Sequence, residues 1–168
     1  MTSTDLPVRS RTVTWDDPMA TAAAGLGAVG LEFLQSLVDG EVPAPPIASL
    51  LGMSLVSVSS GSAVFTLTPD ESIFNPIGAV HGGIVCTLLD SALGCALHTT
   101  LPAGKGYTSV EIKVSYLKAV RASSGMLTAV GTVVKAGSRV GFTEGVVTDE
   151  SGAVVATATS TLLVFDLP

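Results

Sequence analysis

The sequence predicts an α+β domain in which a six-stranded antiparallel sheet wraps around one long central helix, with an extra helix ahead of it. Three observations carry this. The run from about 80 to 100 is helical and apolar all round, with Ile84, Val85, Leu88, Leu89, Ala92, Leu93, Cys95 and Ala96, so it belongs inside a protein. After Pro102 and Gly104 the apolar period changes to two and stays there. Before the helix, two short alternating runs flank Ser59-Ser60-Gly61, turn chemistry that makes them a hairpin. A sheet folded around the helix buries both patterns at once.

Taken in order, residues 1–15 show no periodicity and read as a mobile arm. Asp16-Asp17-Pro18 is a helix start, an acidic cap with proline in the first turn, and Gly40 is a stop, which predicts a helix over 18–39. Proline keeps the linker from Glu41 to Pro46 extended, and a short helical turn around Ile47–Leu51 ends at Gly52. Residues 1–46 thus read as arm, helix and Pro-rich linker, and 47–168 as the main domain. Met53–Ser59 and Ala63–Leu67 form the hairpin, and the loop from Pro69 to Gly78 leads into the central helix. Beyond it, Val110, Ile112, Val114 and Tyr116 alternate with Ser109, Glu111, Lys113 and Ser115. Further strands are expected at about 125–135, 139–148 and 153–165, joined by turns containing Gly137-Ser138 and Ser151-Gly152. The expectation is a hairpin, the helix, then a four-strand meander. No internal repeat, phosphate loop or dinucleotide fingerprint competes with it.

Hydrophobic residues make up 47% of the 168 and charged residues 13%. Such a chain is too apolar for disorder and is expected to bury surface against other subunits. No window reaches the roughly 18 consecutive apolar residues of a membrane helix. The nearest approach, 19–34, is rich in Gly and Ala and interrupted by Glu32; Asp5, Asp16 and Asp17 among Arg9 and Arg11 argue against a secretory signal. A cytoplasmic protein with no membrane association is expected. Cys86 and Cys95 lie nine apart on one helix and point away from each other, so two reduced thiols are expected rather than a disulfide. With two His and no clustered Cys, a metal site is not expected.

The net charge of −6 argues against nucleic-acid binding, but the charge is unevenly spread. Six of the eight Lys and Arg, against one acid, Glu111, fall between 105 and 139, so this stretch is net +5 and the rest net −11. It is either a solvated face or a site for an anionic ligand.

Asp90 stands alone in the apolar helix. A buried carboxylate is costly unless paired, so it either reaches a backbone donor or a Lys across an interface, or it does chemistry. At the start of the same helix, Asn75-Pro76, Gly78 and His81-Gly82-Gly83 precede backbone N–H groups that have no intrahelical partners. Gly82 and Gly83 let a substrate approach those amides, and the helix dipole favours negative charge there, which are the parts of an oxyanion hole. A lone His at a helix start, such as His81, is more often a cap or a packing residue. Nine residues of helix span about 13 Å, too far for Asp90 to act on a carbonyl held at Gly82 of its own chain. In a two-fold dimer with antiparallel helices, Asp90 of one subunit reaches the helix start of its partner, and symmetry makes two such sites.

Asn75-x5-His81-Gly82-Gly83, with an acid nine residues after the His, resembles the PaaI-like branch of the hotdog-fold acyl-CoA thioesterases. The run YTSVEIKVSYLKA (107–119) is similar to that family's strand after the central helix, and the resemblance covers about residues 47–166. It implies hydrolysis of an acyl-CoA at sites shared between two subunits of a homodimer, assembled further into a homotetramer. No cofactor is implied, since coenzyme A belongs to the substrate. It implies that the Gly82 N–H polarises the thioester carbonyl and that the partner's Asp90 is general base or nucleophile, its shortness leaving room for a water. Asn75 and His81 would position the thioester or the water, and Ser109 would help hold that water. For the nucleotide it points to Lys135, Gly137, Ser138 and Arg139, whose backbone and cations suit phosphate.

Two other classes stay open: a hotdog hydratase or dehydratase, against which neither D-x-N-x-x-H nor a His followed by Pro-Gly is present, and a non-catalytic acyl-CoA-binding protein.

Overall fold

The structure is a computed structural model that describes residues 7–167. Ahead of the sheet lie α1 (Pro18–Gly25), α2 (Gly30–Val38) and α3 (Pro46–Leu51), followed by the hairpin β1 (Met53–Ser59) and β2 (Ser62–Leu67). The central helix α4 (Gly82–His98) comes next, then β3 (Lys105–Tyr116), β4 (Leu127–Lys135), β5 (Val140–Thr148) and β6 (Val154–Asp166). The expected hotdog arrangement is present: a six-stranded antiparallel sheet around one helix. Leu88, Leu89, Ala92, Leu93 and Ala96 of α4 are wholly buried against Ala63, Leu67, Leu127, Ala129 and Val147 of the sheet, and Leu97 packs with Leu101, Leu162 and Val164 in a second cluster.

Three expectations need correction. The single helix over 18–39 is two helices. Asp17 caps α1 through Met19 N at 2.9 Å, but the chain turns at Gly27, with φ at +77°, and restarts at Gly30. Gly30 N donates to Leu101 O at 3.1 Å, and a Cβ there would stand 1.9 Å from the carbonyl oxygen of His98. The break lets α2 dock on the end of α4 where only glycine fits. Secondly, the sheet order is β1-β2-β4-β5-β6-β3. β4, β5 and β6 form a meander, whereas β3 lies beyond β6 on the far edge, because the chain crosses over α4 between β2 and β3. Thirdly, residues 7–15 have no regular structure yet are tied down, Arg11 pairing with Asp70 at 3.0 Å. Residues 1–6 of the expected arm lie outside the described residues.

α4 is also not apolar all round in its surroundings. A stripe through Thr87, Asp90, Ser91 and His98 is half-buried, away from the middle strands. Thr87 and Ser91 satisfy their hydroxyls on Gly83 O and Thr87 O at 2.9 Å each, so the helix carries them without loose polar groups.

Thr143, on the inner face of β5 and 2% exposed, has a buried Oγ1 with no partner among the described residues. An unmade buried hydrogen bond costs about 1–3 kcal/mol, and an apolar residue of the same shape avoids that. Thr143→Val should therefore raise the melting temperature by a few degrees; a fall in a thermal scan would show that the hydroxyl is bonded.

Candidate active site

The loop before α4 is built by its own side chains. Asn75 Oδ1 accepts from Ile77 N and Ala79 N, each at 3.1 Å, closing a tight turn in which Gly78 has φ at +75°. Its amide nitrogen makes no hydrogen bond within the described chain. Val80 N bonds to Val120 O and His81 N to Ile73 O, both at 2.9 Å, which pins the entry to the helix. His81 is the N-cap: its Nδ1 accepts from Gly83 N at 2.9 Å. An accepting Nδ1 leaves Nε2 to carry the ring proton and act as donor.

The two glycines therefore have different fates. Gly83 N–H is committed to His81, so the expected substrate contact of that amide is not available. Gly82 N–H has no partner among the described residues, and it sits at the positive end of the helix dipole. Tyr116 lies against Gly82 and donates from its hydroxyl to Gly82 O at 2.9 Å. Asn75, Gly82 and Tyr116 line one surface depression of about 320 Å³. The sequence reading missed Tyr116. Its alternation marked it as an inward aromatic, but only the register of β3 against the helix start reveals its partner.

Asp90 and Ser109 make a second cluster. Ser109 Oγ donates to Asp90 Oδ1 at 2.7 Å, leaving Oδ2 without a partner in the described chain. How Ser109 comes to face the helix is a matter of register. Simple alternation puts Val110, Ile112, Val114 and Tyr116 inside and Ser109 outside. In the sheet, Ser109 pairs with Leu162 and Glu111 with Thr161, so Val110 is an extra, bulged residue. The bulge reverses the phase: Tyr107 and Ser109 face inward before it, and Ile112, Val114 and Tyr116 after it. Val110, expected inside, is 61% exposed.

The two clusters do not meet within one chain. Eight residues of helix between Gly82 and Asp90 amount to about 12 Å. The loop carrying Lys135, Gly137, Ser138 and Arg139 is more remote still from His81. It is exposed between β4 and β5, and the adjacent Gly141 abuts Leu97 at the other end of α4, about 24 Å along the helix from His81. Neither Lys135 nor Arg139 is ion-paired among the described residues. The basic stretch is not one field, however: Lys105 pairs with Asp166 at 2.6 Å and Lys118 with Asp149 at 2.7 Å. Hydrogen bonds from Lys118 and Ser151 hold the Asp149 carboxyl down at about 2.

Asp90 also lies on the rim of an apolar cleft of about 500 Å³ walled by α2, α3 and β1. Cys86 and Cys95 are free thiols, and burial pushes Cys95 up to about 12, which makes it a poor nucleophile. Among the described residues no three His, Cys, Asp or Glu side chains gather as metal ligands, and no helix is long and apolar enough to cross a membrane.

Comparison with known proteins gives the following. The family profile described as the thioesterase superfamily matches residues 77–156. A protein of Halobacterium salinarum that carries a provisional esterase name is 35% identical over 116 residues, covering 66% of this chain and 72% of that protein. Acyl-coenzyme A thioesterase 13 of Homo sapiens is 27% identical over 111 residues, covering 66% of this chain and 78% of its own. The PaaI protein of the Escherichia coli phenylacetic acid degradation operon superposes with a TM-score of 0.66 at 23% identity, covering 73% of this chain and 87% of that one.

Proposed function

The chain belongs to the thioesterase superfamily, and from that premise we propose that it hydrolyses an acyl-CoA thioester to free acid and CoA, at sites shared between two subunits. The observation that carries the reading is the division of parts along α4. One end presents a Gly82 amide that has no partner among the described residues, next to the His81 cap and in a depression shared with Asn75; the middle presents a carboxylate held by Ser109.

Ser109 fixes Asp90 Oδ1, so Oδ2 is free to take a proton from a water. The water oxygen bonds to the thioester carbon while the carbonyl oxygen, becoming an oxyanion, is received by the partner's helix start through Gly82 N–H, with Asn75 and His81 positioning it. Collapse breaks the C–S bond, and the proton held by Asp90 goes to the leaving thiolate. Asp90 acts here as a general base. Two copies of α4 in antiparallel alignment bring Asp90 of one to the helix start of the other, and a homotetramer of such dimers uses the remaining apolar surface, Phe142 and Leu163 among it. Two free thiols suit a reducing compartment, so the cytoplasm is the proposed location.

The test is a steady-state assay over a panel of acyl-CoA esters with detection of free thiol. Thiol release supports hydrolysis; hydration of an enoyl-CoA without thiol release, or binding alone, replaces it with one of the other classes.

In the antiparallel dimer, the 135–139 loop belongs to the same subunit as the Asp90 that serves the site. Lys135→Ala with Arg139→Ala should raise KM for CoA esters about tenfold, which corresponds to about 1.4 kcal/mol of phosphate contact, with kcat unchanged. Short pantetheine thioesters, which lack the nucleotide, should be spared. Equal effects on both substrate types would assign the loop a structural role.

A further inference from the structure

Nothing in the proposed chemistry uses the basic pair ahead of the first helix. Arg9 and Arg11 stand two apart, so in an extended chain they lie on one side, and they meet the acid pair Asp70-Glu71 far along the sequence. Both precede residues 77–156, the region that the family profile matches. The two arginines are not equivalent. Arg9 pairs with Glu71, and its side chain is 71% exposed. The Arg11 side chain is 31% exposed and joins three segments. Its Nη1 donates to Asp70 Oδ2 and to Ser72 Oγ, each at 3.0 Å, and its Nη2 donates to the carbonyl oxygen of Leu50 in the last turn of α3. An isolated surface ion pair contributes little, but a guanidinium that satisfies three acceptors at once fixes the segments that carry them.

The segment fixed in this way is one side of the loop that presents Gly82. Asp70 Oδ1 accepts from Ser72 N at 2.7 Å and starts a short 3-10 turn, Glu71–Ile73. Ile73 O then accepts from His81 N at 2.9 Å, Phe74 bridges to Val80, and Asn75 N donates to Ala79 O at 2.7 Å. Residues 70–81 thus close on themselves, with Ile73 and Phe74 resting on the core. Polar contacts tie this loop to the body on both sides. Val80 N donates to Val120 O next to the helix, and Arg11 holds Asp70 and Ser72 to α3 on the opposite side.

We propose that Arg11 is a positioning residue: the N-terminal arm straps the loop that carries the His81 cap and the Gly82 amide, and the charge of Arg11 sets how often that loop opens. The effect on turnover rests on the thioesterase reading above; the hold on the loop does not. Arg11 acts through Ile73 and His81 rather than on the reacting atoms. A loosened loop misplaces the amide where the oxyanion develops, so kcat falls while KM changes little.

The experiment reads hydrogen exchange at single amides by NMR, with thiol release measured on the same proteins. In Arg11→Ala, protection of the His81 amide should fall about fivefold, while the Val80 amide, bonded to Val120, keeps its own. kcat should fall by a similar factor, with KM within about twofold. Asp70→Asn keeps an oxygen to cap Ser72 but turns an NH2 toward Arg11; it should have the same effect, and the double variant should have no more than either. About 0.5 M potassium chloride should bring the wild type to the level of the variants and leave the variants nearly unchanged. Unchanged His81 protection in Arg11→Ala, or a fall that Val80 shares, overturns the assignment even if thiol is released. So does a loosened His81 amide with full kcat in a protein that releases thiol. A loosened His81 amide in a protein that releases no thiol upholds the strap and discards hydrolysis instead.

Discussion

Asp90→Asn lowers thioester turnover by at least about two orders of magnitude, the scale usual for loss of a positioned base, and leaves folding and dimerisation intact. The two halves of this expectation come from different atoms of one side chain. Asn keeps an Oδ1 that can accept from Ser109, so the contact at 2.7 Å survives, and the half-buried position asks for no charge to hold the helix. What disappears is the basic Oδ2. Thermal melting and native mass spectrometry of the variant check the first half, and thiol release checks the second. Near-normal turnover in the folded variant would remove Asp90 from the chemistry. A single turnover of the wild type in heavy-oxygen water then separates two mechanisms: label in the acid on the first turnover fits attack by water, and label retained in Asp90 indicates an anhydride.

A mixture of two inactive proteins should become active. Asp90→Asn and His81→Ala, unfolded together and refolded in equal amounts, pair at random, so half the dimers are mixed. In a mixed dimer one site collects both defects and the other keeps both native residues, so about a quarter of all sites are intact under the two-fold arrangement. The expectation rests on the roughly 12 Å that helix geometry places between Gly82 and Asp90 of one chain. Activity near a quarter of wild type supports sites shared across subunits. A mixture no more active than its parents, with mixed dimers seen by native mass spectrometry, would exclude them.

The main features of this fold were legible because they depend on local periodicity. A helix with Leu88, Leu89, Leu93 and Ala96 around it and strands of period two have few ways to bury each other. The features that were not legible depend on contacts between distant segments. The break at Gly27–Gly30 lies in a run rich in Ala and Gly that reads as weak helix; what selects it is the His98 carbonyl, 68 residues away in sequence. The position of β3 follows from pairing with β6, which no local pattern encodes. Most telling is Val110, an apolar residue in the right phase for the core that instead forms the bulge. Without that bulge, Ser109 would point to solvent, and it was the family resemblance, not alternation, that placed it beside a carboxylate. Tyr116 passed as a core aromatic because a hydroxyl has no signature in a hydrophobic pattern. Asn75 and His81 were singled out for contacts with the substrate or its water, and the structure gives each a duty in the turn and cap that present Gly82.

The strand order also sets a sequence of events. Chains fold as they are made from the N-terminus, so α4 and β3 emerge before β4 and β5, and β6 comes after all of them. Among the described residues, β3 has no neighbour in the sheet except β6. Until that strand arrives, nothing fixes the bulge at Val110 or turns Ser109 toward Asp90, whereas the cap at His81 and the bare Gly82 amide are local and can form at once. Long-range pairing is the slow class of folding event. A half-made molecule therefore exposes the Gly82 amide without a serine-held carboxylate to activate a water, and the proposed site is complete only at the closing step of maturation.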